Sequence, residues 1–150
     1  MFLDLDNFKA LNDKAGHAVG DLLLVEVARR LKCCVRETDT VARFGGDEFV
    51  VLIGELDGSM PDAADQAGAI ARKMALALAV PYLLAAPRAV DTDVRIEHRC
   101  TVSIGVALLG TGAGTVDSAL GVADRAMYQA KQSGRNSICL VEAVTDAEGC

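Results

Sequence analysis

A pair of adjacent glycines at positions 45–46 separates two short apolar runs. Residues 41–44 (Val-Ala-Arg-Phe) precede the pair, and residues 47–53 (Asp-Glu-Phe-Val-Val-Leu-Ile) follow it. Glycine accepts the positive φ values that both central residues of a tight hairpin turn require. The pattern therefore predicts a β-hairpin with both glycines at its turn. We expect Asp47 and Glu48 to begin the second strand, with their side chains on opposite faces of the sheet.

The first residues of the chain supply two further acids. Residues 1–5 are typical of a buried strand, and Asp4 and Asp6 lie two positions apart, so they share one face. If this strand lies beside the hairpin, Asp4 and Asp47 come close together. Neighbouring carboxylates repel unless a proton or a cation lies between them, and their hard oxygens suit divalent metals. The alternative is a plain hairpin with solvated acids at its tip, which a Gly-Gly-Asp triplet alone would favour.

Size, charge and cysteine usage limit the classes of protein. A chain of 150 residues predicts one domain over residues 1–150, with the last ~10 residues as a tail. The formal net charge of −6 argues against DNA or RNA as a partner. Five cysteines without a Cys-x-x-Cys spacing indicate reduced thiols. Because the longest apolar stretch (75–86) is too short to span a bilayer and no signal peptide is evident, we expect a cytoplasmic domain.

The remaining pattern alternates between helical and strand-like segments. Helices are predicted over residues 7–15, 19–37, 61–80 and 115–132, the last capped by Thr115 or Asp117. Strands are predicted over residues 1–5, 41–44, 47–53, 97–109 and 137–141, with loops at 54–59 and 110–114. Residues 81–92 fit neither pattern. Together these segments indicate an α/β sandwich with a central, mostly antiparallel sheet flanked by helices, related to the palm of nucleotide-handling enzymes.

The motifs resemble those of the GGDEF family of diguanylate cyclases, which is named for the five residues found here at 45–49. The match includes further motifs in order, at residues 4–13 (Asp-Leu-Asp-Asn-Phe-Lys-Ala-Leu-Asn-Asp), 16–24, 103–107, 123–131 and 134–136. The resemblance extends over residues 1 to about 140. It implies a palm-like fold of the ferredoxin-like, nucleotidyl-cyclase type.

The resemblance also implies an activity, namely the condensation of two GTP into cyclic di-GMP with release of two pyrophosphates. It implies a homodimer, since each subunit carries one GTP and the product has two halves. The implied cofactor is Mg²⁺, with Mn²⁺ as the alternative, in a two-metal nucleotidyl transfer. The implied metal ligands are Asp4, the Leu5 carbonyl, Asp47 and Glu48, and of these Asp47 and Glu48 are the catalytic pair. Asp47 bridges the metals or serves as the base.

The family register assigns substrate contacts to positions along the chain. For the guanine these are Asn12 and Asp21, with Leu24 beneath the base and Phe8 as a wedge. For the phosphates they are Lys9, Lys131 and Arg135. Simpler interpretations exist: Asn12 as a surface residue, Asp21 as a first-turn acid, and Lys131 and Arg135 as cations near a helix end. Gly134 is expected to end that helix and to redirect Arg135.

Residues 36–39 (Arg-Glu-Thr-Asp) resemble the family's Arg-x-x-Asp product-inhibition site. An arginine guanidinium can donate two parallel hydrogen bonds to a phosphate or to a guanine edge. The resemblance implies that Arg36 and Asp39 bind cyclic di-GMP away from the catalytic centre. The simpler alternative is an exposed ion pair of little energetic value. Arg72 or Lys73 from the next helix are candidates to complete the site.

In the family, a helix and a wide turn normally precede the first strand. This part of the family pattern is missing here. We expect an exposed apolar patch where that helix would lie, a kind of surface that favours association. In the full-length protein we expect a sensor or receiver domain and a membrane anchor in the missing N-terminal region.

Three functions remain open. The acids and guanine residues favour an active cyclase. The missing helix favours a catalytically weak or inactive module that binds GTP or cyclic di-GMP as a receptor. The guanine pair argues against a third function, the cyclisation of a single nucleotide.

Overall fold

The structure, a computed structural model, describes residues 1–56, 59–86, 94–110 and 115–142. Its strands are β1 (Phe2–Leu5), β2 (Thr40–Gly45), β3 (Glu48–Leu52), β4 (Tyr82–Ala86), β5 (Val94–His98), β6 (Val102–Leu108) and β7 (Ile138–Glu142). Its helices are α1 (Phe8–Ala15), α2 (His17–Cys34), α3 (Met60–Ala79) and α4 (Val116–Gln132).

The central sheet has the strand order β2-β3-β1-β6-β7. Its neighbouring strands are antiparallel, apart from the parallel pair β6 and β7. Strands β4 and β5 form a separate antiparallel pair. The prediction of a mostly antiparallel central sheet flanked by helices is confirmed.

Helices pack on both faces of this sheet, and β1 shows the division. Its alternate residues Leu3 and Leu5 enter the larger core with apolar residues of α2 and α3. Phe2 faces the other way and joins Ala123 and Met127 of α4 in a second cluster. Because side chains alternate along a strand, Asp4 lies on the same face as Phe2 and therefore toward α4. The side chain of Asp4 is therefore directed toward the end of α4.

Gly105 in β6 allows α4 to approach the sheet closely. A Cβ built at this position would lie 1.9 Å from the Ala123 carbonyl oxygen and 2.3 Å from the Met127 amide nitrogen. Both atoms belong to the backbone, which cannot move aside as a flexible side chain can. The glycine of the motif at residues 103–107 therefore fixes how near α4 lies to β1 and β6.

Helix starts follow the expected capping chemistry. Thr115 caps α4 and Ser59 caps α3, each in a reciprocal pair of hydrogen bonds with the residue three positions on. Of the two capping residues predicted for α4, Thr115 is the one used. The helix ends at Gln132 as predicted, and Gly134 follows with a φ of +112°.

Several predicted boundaries were wrong. Helix α2 occupies residues 17–34 instead of 19–37, because Val35 takes an extended conformation at the C-cap. The predicted strand 97–109 is broken at residues 99–101, between β5 and β6. Part of the stretch predicted to be irregular, residues 82–86, forms β4 because its backbone pairs with β5.

Other predictions fall outside the described residues, namely parts of the two loops (57–58 and 111–114), residues 87–92, and most of the tail (143–150). Within the described ranges, no helix combines the length and the hydrophobicity that crossing a membrane demands. A mainly apolar cleft of about 630 Å³ opens between β3, β6, α3 and α4 and is lined in part by Met1, Met60 and Leu120.

Candidate functional site

The turn between β2 and β3 differs from the prediction by one residue. Gly45 pairs with Glu48, so Gly46 and Asp47 are the two turn residues. Gly46 has a φ of +50°, whereas Gly45 does not adopt a positive φ. The expectation that both glycines occupy the centre of the turn, with Asp47 in the strand, was therefore wrong. The cause is a register shift between Arg43 and Gly45, which moves the turn toward the acids.

The turn lies directly against the end of β1. Asp4 and Glu48 are partners across the β1–β3 ladder, and the Leu5 amide donates a hydrogen bond to the Asp47 carbonyl oxygen at 3.3 Å. The structure thus brings Asp4, Leu5, Asp47 and Glu48 together at one end of two neighbouring strands. Burial raises the pKa of Asp4, and the negative charges of Asp47 and Glu48 raise it further, although Lys131 acts in the opposite direction.

Lys131 reaches this group of acids from the last turn of α4. Its Nζ lies 2.6 Å from Oδ2 of Asp4. Asp4 is buried and Lys131 is partly exposed, so the ion pair lies at the boundary between core and solvent. One of the cations that the sequence assigned to phosphate therefore neutralises one of the acids that it assigned to metal.

These acids are the candidate ligands for the metal that the family implies. All of their donors are oxygens, which Mg²⁺ prefers over nitrogen and sulfur, and a cation would relieve the repulsion that raises the pKa of Asp4. Across the described ranges, no three His, Cys, Asp or Glu side chains are already arranged to hold a metal ion. The donor chemistry therefore fits a divalent cation.

The predicted guanine contacts lie around the α1–α2 junction. Oδ1 of Asn12 is buried and has no hydrogen-bond partner within the described residues. A Cβ at Gly20 would lie 1.9 Å from this oxygen and 3.2 Å from Cζ of Phe8. Only a glycine at position 20 leaves room for the Asn12 amide. A buried amide oxygen without a partner is costly, which suits a position that a ligand completes.

Asp21 is exposed, and Leu24, one turn further along α2, is buried. Because α2 begins at His17, Asp21 is its fifth residue, and the first turn contains no acid. The simpler interpretation of Asp21 as a first-turn acid therefore loses its basis, since the helix dipole acts mainly within that turn. Phe8 is buried, in keeping with a role as a wedge.

The three predicted phosphate cations lie in different settings. Lys9 is exposed on α1, and Arg135 is exposed in the turn after α4. Gly134 ends the helix and Arg135 itself has a φ of +64°, so the guanidinium leaves the helical path as expected. Of these three cations, only Lys131 has an ion-pair partner among the described residues, namely Asp4.

The Arg36–Asp39 segment forms a compact turn. The Asp39 carboxylate accepts hydrogen bonds from the Arg36 amide at 2.9 Å and from the Gly54 amide at 3.2 Å. A cavity of about 440 Å³ adjoins it and is lined by Arg36, Asp39 and Lys73, among others. The Arg72 side chain lies over its own helix beside Gly68. Of the two candidates to complete this site, Lys73 is therefore the one at the cavity.

Sequence reasoning missed the contacts made by Asp6. Its carboxylate accepts hydrogen bonds from Thr101, Ser103 and the Asn136 amide. Its position two residues after Asp4, on the same face, was the available signal, but the donors are distant in sequence. Gly20 was also missed, although a glycine inside a helical pattern indicates close packing.

Comparison with known proteins agrees with this geometry. The family model for "Diguanylate cyclase, GGDEF domain" matches residues 1–137. The bifunctional diguanylate cyclase/cyclic di-GMP phosphodiesterase MucR of Pseudomonas aeruginosa is 43% identical over 147 residues, which are 98% of this chain and 19% of MucR. Diguanylate cyclase A of Treponema denticola is 34% identical over 140 residues, 93% of this chain and 34% of that protein. The chain thus spans 19% and 34% of the length of these two relatives.

Solved structures share the fold. The GGDEF domain of TpbB from Pseudomonas aeruginosa superposes with a TM-score of 0.77 at 39% identity, covering 94% of this chain and 80% of that one. The GGDEF domain of DgcB from Caulobacter crescentus, solved in complex with c-di-GMP, superposes with a TM-score of 0.73 at 27% identity and covers 93% of this chain and 74% of that one.

Proposed function

This chain belongs to the GGDEF family of diguanylate cyclase domains, and on that premise we propose that it condenses two GTP into cyclic di-GMP and two pyrophosphates. The observation that carries the proposal is the position of Asp4 opposite Glu48 and next to the Asp47 turn. Acids on two neighbouring strands, with Lys131 beside them, supply both the metal ligands and a phosphate cation that the reaction needs.

The reaction requires a 3′-hydroxyl to lose its proton, attack an α-phosphate and displace pyrophosphate. Asp4, Glu48 and the Leu5 carbonyl would hold the divalent cations, Mg²⁺ or Mn²⁺, and bound cations would supply charge stabilisation to the attacking and leaving oxygens. Asp47 would either accept the proton of the hydroxyl or serve as a further ligand for the cations. Lys131, Lys9 and Arg135 bind the triphosphate and offset its negative charge.

Guanine selection rests on Asn12 and Asp21. A carboxylate accepts the N1 and N2 hydrogens of guanine, and an amide donates to its O6 or N3. Leu24 lies under the base, and Phe8 separates the guanine site from the core. Adenine leaves Asp21 unpaired, which costs about 1–3 kcal/mol. The buried, unpaired Oδ1 of Asn12 supports a ligand that donates a hydrogen bond at this place, as the N2 amino group of guanine can.

The product requires two subunits, because each GTP attacks the other and the two sites must face each other in a symmetric homodimer. Arg36 and Asp39, with Lys73 at the same cavity, bind cyclic di-GMP and inhibit synthesis. In the full-length protein a sensor or receiver domain controls the approach of the two subunits, and the N-terminal region carries a membrane anchor.

A chromatographic assay tests the proposal. The purified chain is incubated with GTP and Mg²⁺, and the nucleotides are separated. We expect cyclic di-GMP and pyrophosphate to accumulate, and we expect no cyclic product from ATP. GTP that stays unchanged at a protein concentration high enough to form dimers contradicts the proposed activity.

A second candidate is a receptor module that binds GTP or cyclic di-GMP without turnover. The observation that favours it is that the Lys131 ammonium occupies Asp4, a carboxylate that the cyclase needs for its cations. The same samples decide between the two, because a receptor gives saturable binding in calorimetry and no new nucleotide in the chromatogram.

A further inference from the structure

Asp6 is a buried acid whose carboxylate accepts three hydrogen bonds. Its side chain is only 3% exposed. Oδ2 accepts hydrogen bonds from the Thr101 hydroxyl at 2.6 Å and from the backbone amide of Asn136 at 3.0 Å. Oδ1 accepts a hydrogen bond from the Ser103 hydroxyl at 2.8 Å. Both oxygens are thus engaged by donors from β6, from the segment before it, and from the turn after α4. A carboxylate held in this way is not free to ligate a metal.

The turn that Asp6 binds has an unusual backbone. Gly134, Arg135 and Asn136 all have positive φ values, of +112°, +64° and +47°. Two of these residues carry a Cβ, and such residues enter the left-handed region only at an energetic cost. A strong contact must hold them there. The hydrogen bond from the Asn136 backbone amide to the buried Asp6 carboxylate is such a contact, since hydrogen bonds that a carboxylate accepts are among the stronger kind.

Asp4 and Asp6 therefore hold both ends of the same short segment. Asp4 binds the Lys131 ammonium at the end of α4, and Asp6 binds the backbone five residues later. Between them lies Arg135, whose amide also donates to the Ala130 carbonyl oxygen at 3.2 Å. Its backbone is fixed from both sides, while its side chain is exposed.

We propose that Asp6 is a positioning residue for the triphosphate: by accepting the Asn136 amide, it keeps the 134–136 turn left-handed and so directs Arg135 at the phosphates. This proposal rests on the proposed function, because it takes Arg135 as a phosphate ligand. It predicts that Asp6 affects nucleotide binding only through Arg135. An Asp6 that merely supports the fold would affect binding whether or not Arg135 is present.

A double-mutant cycle separates these roles. The ligand is 3′-deoxy-GTP with Mg²⁺, because this nucleotide lacks the attacking hydroxyl and so cannot turn over. Its affinity is measured for the wild type, Asp6→Ala, Arg135→Ala and the double variant. We expect each single change to raise Kd about tenfold, the size of one charge-assisted contact. The double variant should bind within about twofold of Arg135→Ala alone. Losses that multiply to about a hundredfold, or an Arg135→Ala variant that binds normally, overturn the proposal.

Ser103→Ala is the matched control. It removes the donor to Oδ1 and leaves the Asn136 bond to Oδ2 in place, so Kd should stay within about twofold of wild type. A loss equal to that of Asp6→Ala indicates a general effect on the fold and contradicts the positioning role. Thermal unfolding of each variant shows that the affinities refer to folded protein.

Amide hydrogen exchange adds a test that needs neither activity nor the variants to fold. In the wild type, the Asn136 backbone amide should exchange at least about 100-fold more slowly than an unprotected amide. Unprotected exchange at Asn136 in the wild type overturns the proposal. If the effects of the two substitutions are non-additive but the protein makes no cyclic di-GMP, the proposed cyclase activity is wrong and the positioning role of Asp6 still holds.

Discussion

The Nζ of Lys131 lies 2.6 Å from Oδ2 of Asp4, so the end of α4 is bonded to the strand beside the Gly46–Asp47 turn. This contact joins the two halves of the candidate site, the acids of the sheet and the cations after the helix. It also explains how buried Asp4 stays compatible with Asp47 and Glu48 nearby, since the ammonium offsets their repulsion.

Replacement of Lys131 by methionine tests this contact through stability. Lys131→Met keeps the apolar stem and leaves Asp4 without its cation, so we expect a loss of about 1–2 kcal/mol near neutral pH, discounted for the partial exposure of Lys131. Without Lys131 the pKa of Asp4 rises further, so the folded state holds a proton that the unfolded state releases. The loss should therefore grow as pH rises through the pKa of Asp4 and shrink in acid.

Urea unfolding at several pH values measures this loss. Lys32→Met is the control, because Lys32 is an exposed lysine in the last turn of α2. A pH-independent loss, or the same loss in both variants, contradicts the account of the ion pair.

Gly20→Ala should weaken the guanine site. The new Cβ would lie 1.9 Å from Oδ1 of Asn12, so the amide must leave its place. We expect kcat/KM for GTP to fall at least about tenfold, mainly through KM, as for the loss of one good hydrogen bond. Steady-state kinetics of product formation provide the measurement.

Gly68→Ala is the helical control for that substitution. Its Cβ would meet only the end of the flexible Arg72 side chain, at 3.2 Å. Alanine should leave kinetics unchanged and stabilise α3 by up to about 1 kcal/mol. Equal kinetic losses in the two variants would remove the steric argument for Asn12.

Asp47→Asn should abolish turnover and retain nucleotide binding. The amide keeps the size of the side chain but can neither accept a proton nor supply a full negative charge to a cation. We expect the rate of cyclic di-GMP formation to fall at least about a thousandfold, within the range of proton-transfer catalysis, with the Kd for GTP little changed. Asp65→Asn, at an exposed acid of α3, serves as the control, and undiminished product formation by Asp47→Asn rejects the role assigned to Asp47.

Arg36→Ala should relieve inhibition by the product. Asp39 is a poorer position for this substitution, because both of its carboxylate oxygens accept hydrogen bonds from backbone amides and so support the turn. Initial rates are compared with and without added cyclic di-GMP, with Arg29→Ala as the control at an exposed arginine of α2. We expect inhibition to persist in Arg29→Ala and to be lost in Arg36→Ala. Identical inhibition curves would remove the allosteric site.

The sequence predicted those parts of the fold that depend on neighbouring residues. The helix starting at Thr115 and ending before Gly134 follows from capping and turn chemistry, and the strand at residues 1–5 follows from its apolar run. The hairpin was found, but not its register, because the shift at Arg43–Gly45 depends on pairing with β3. Strand β4 was missed for the same reason, since its partner lies beyond residue 93.

The candidate site was predicted in its composition and only partly in its arrangement. The grouping of Asp4 with the hairpin acids followed from one assumed strand neighbour, which β1 and β3 provide. The Lys131–Asp4 pair and the Asp6 network join residues more than 90 positions apart. No local pattern encodes such contacts. The Lys131–Asp4 pair depends on how closely Gly105 lets α4 approach the sheet, and the bonds from Thr101 and Ser103 depend on the pairing of β1 with β6.

A crystal structure with 3′-deoxy-GTP and Mg²⁺ tests the central claim most directly. We predict a cation bound by Asp4 and the acids of the hairpin, with Lys131 moved from Asp4 to a phosphate oxygen and guanine at Asn12 and Asp21. If the nucleotide binds while Lys131 stays on Asp4 and no cation lies between β1 and the turn, the account is contradicted.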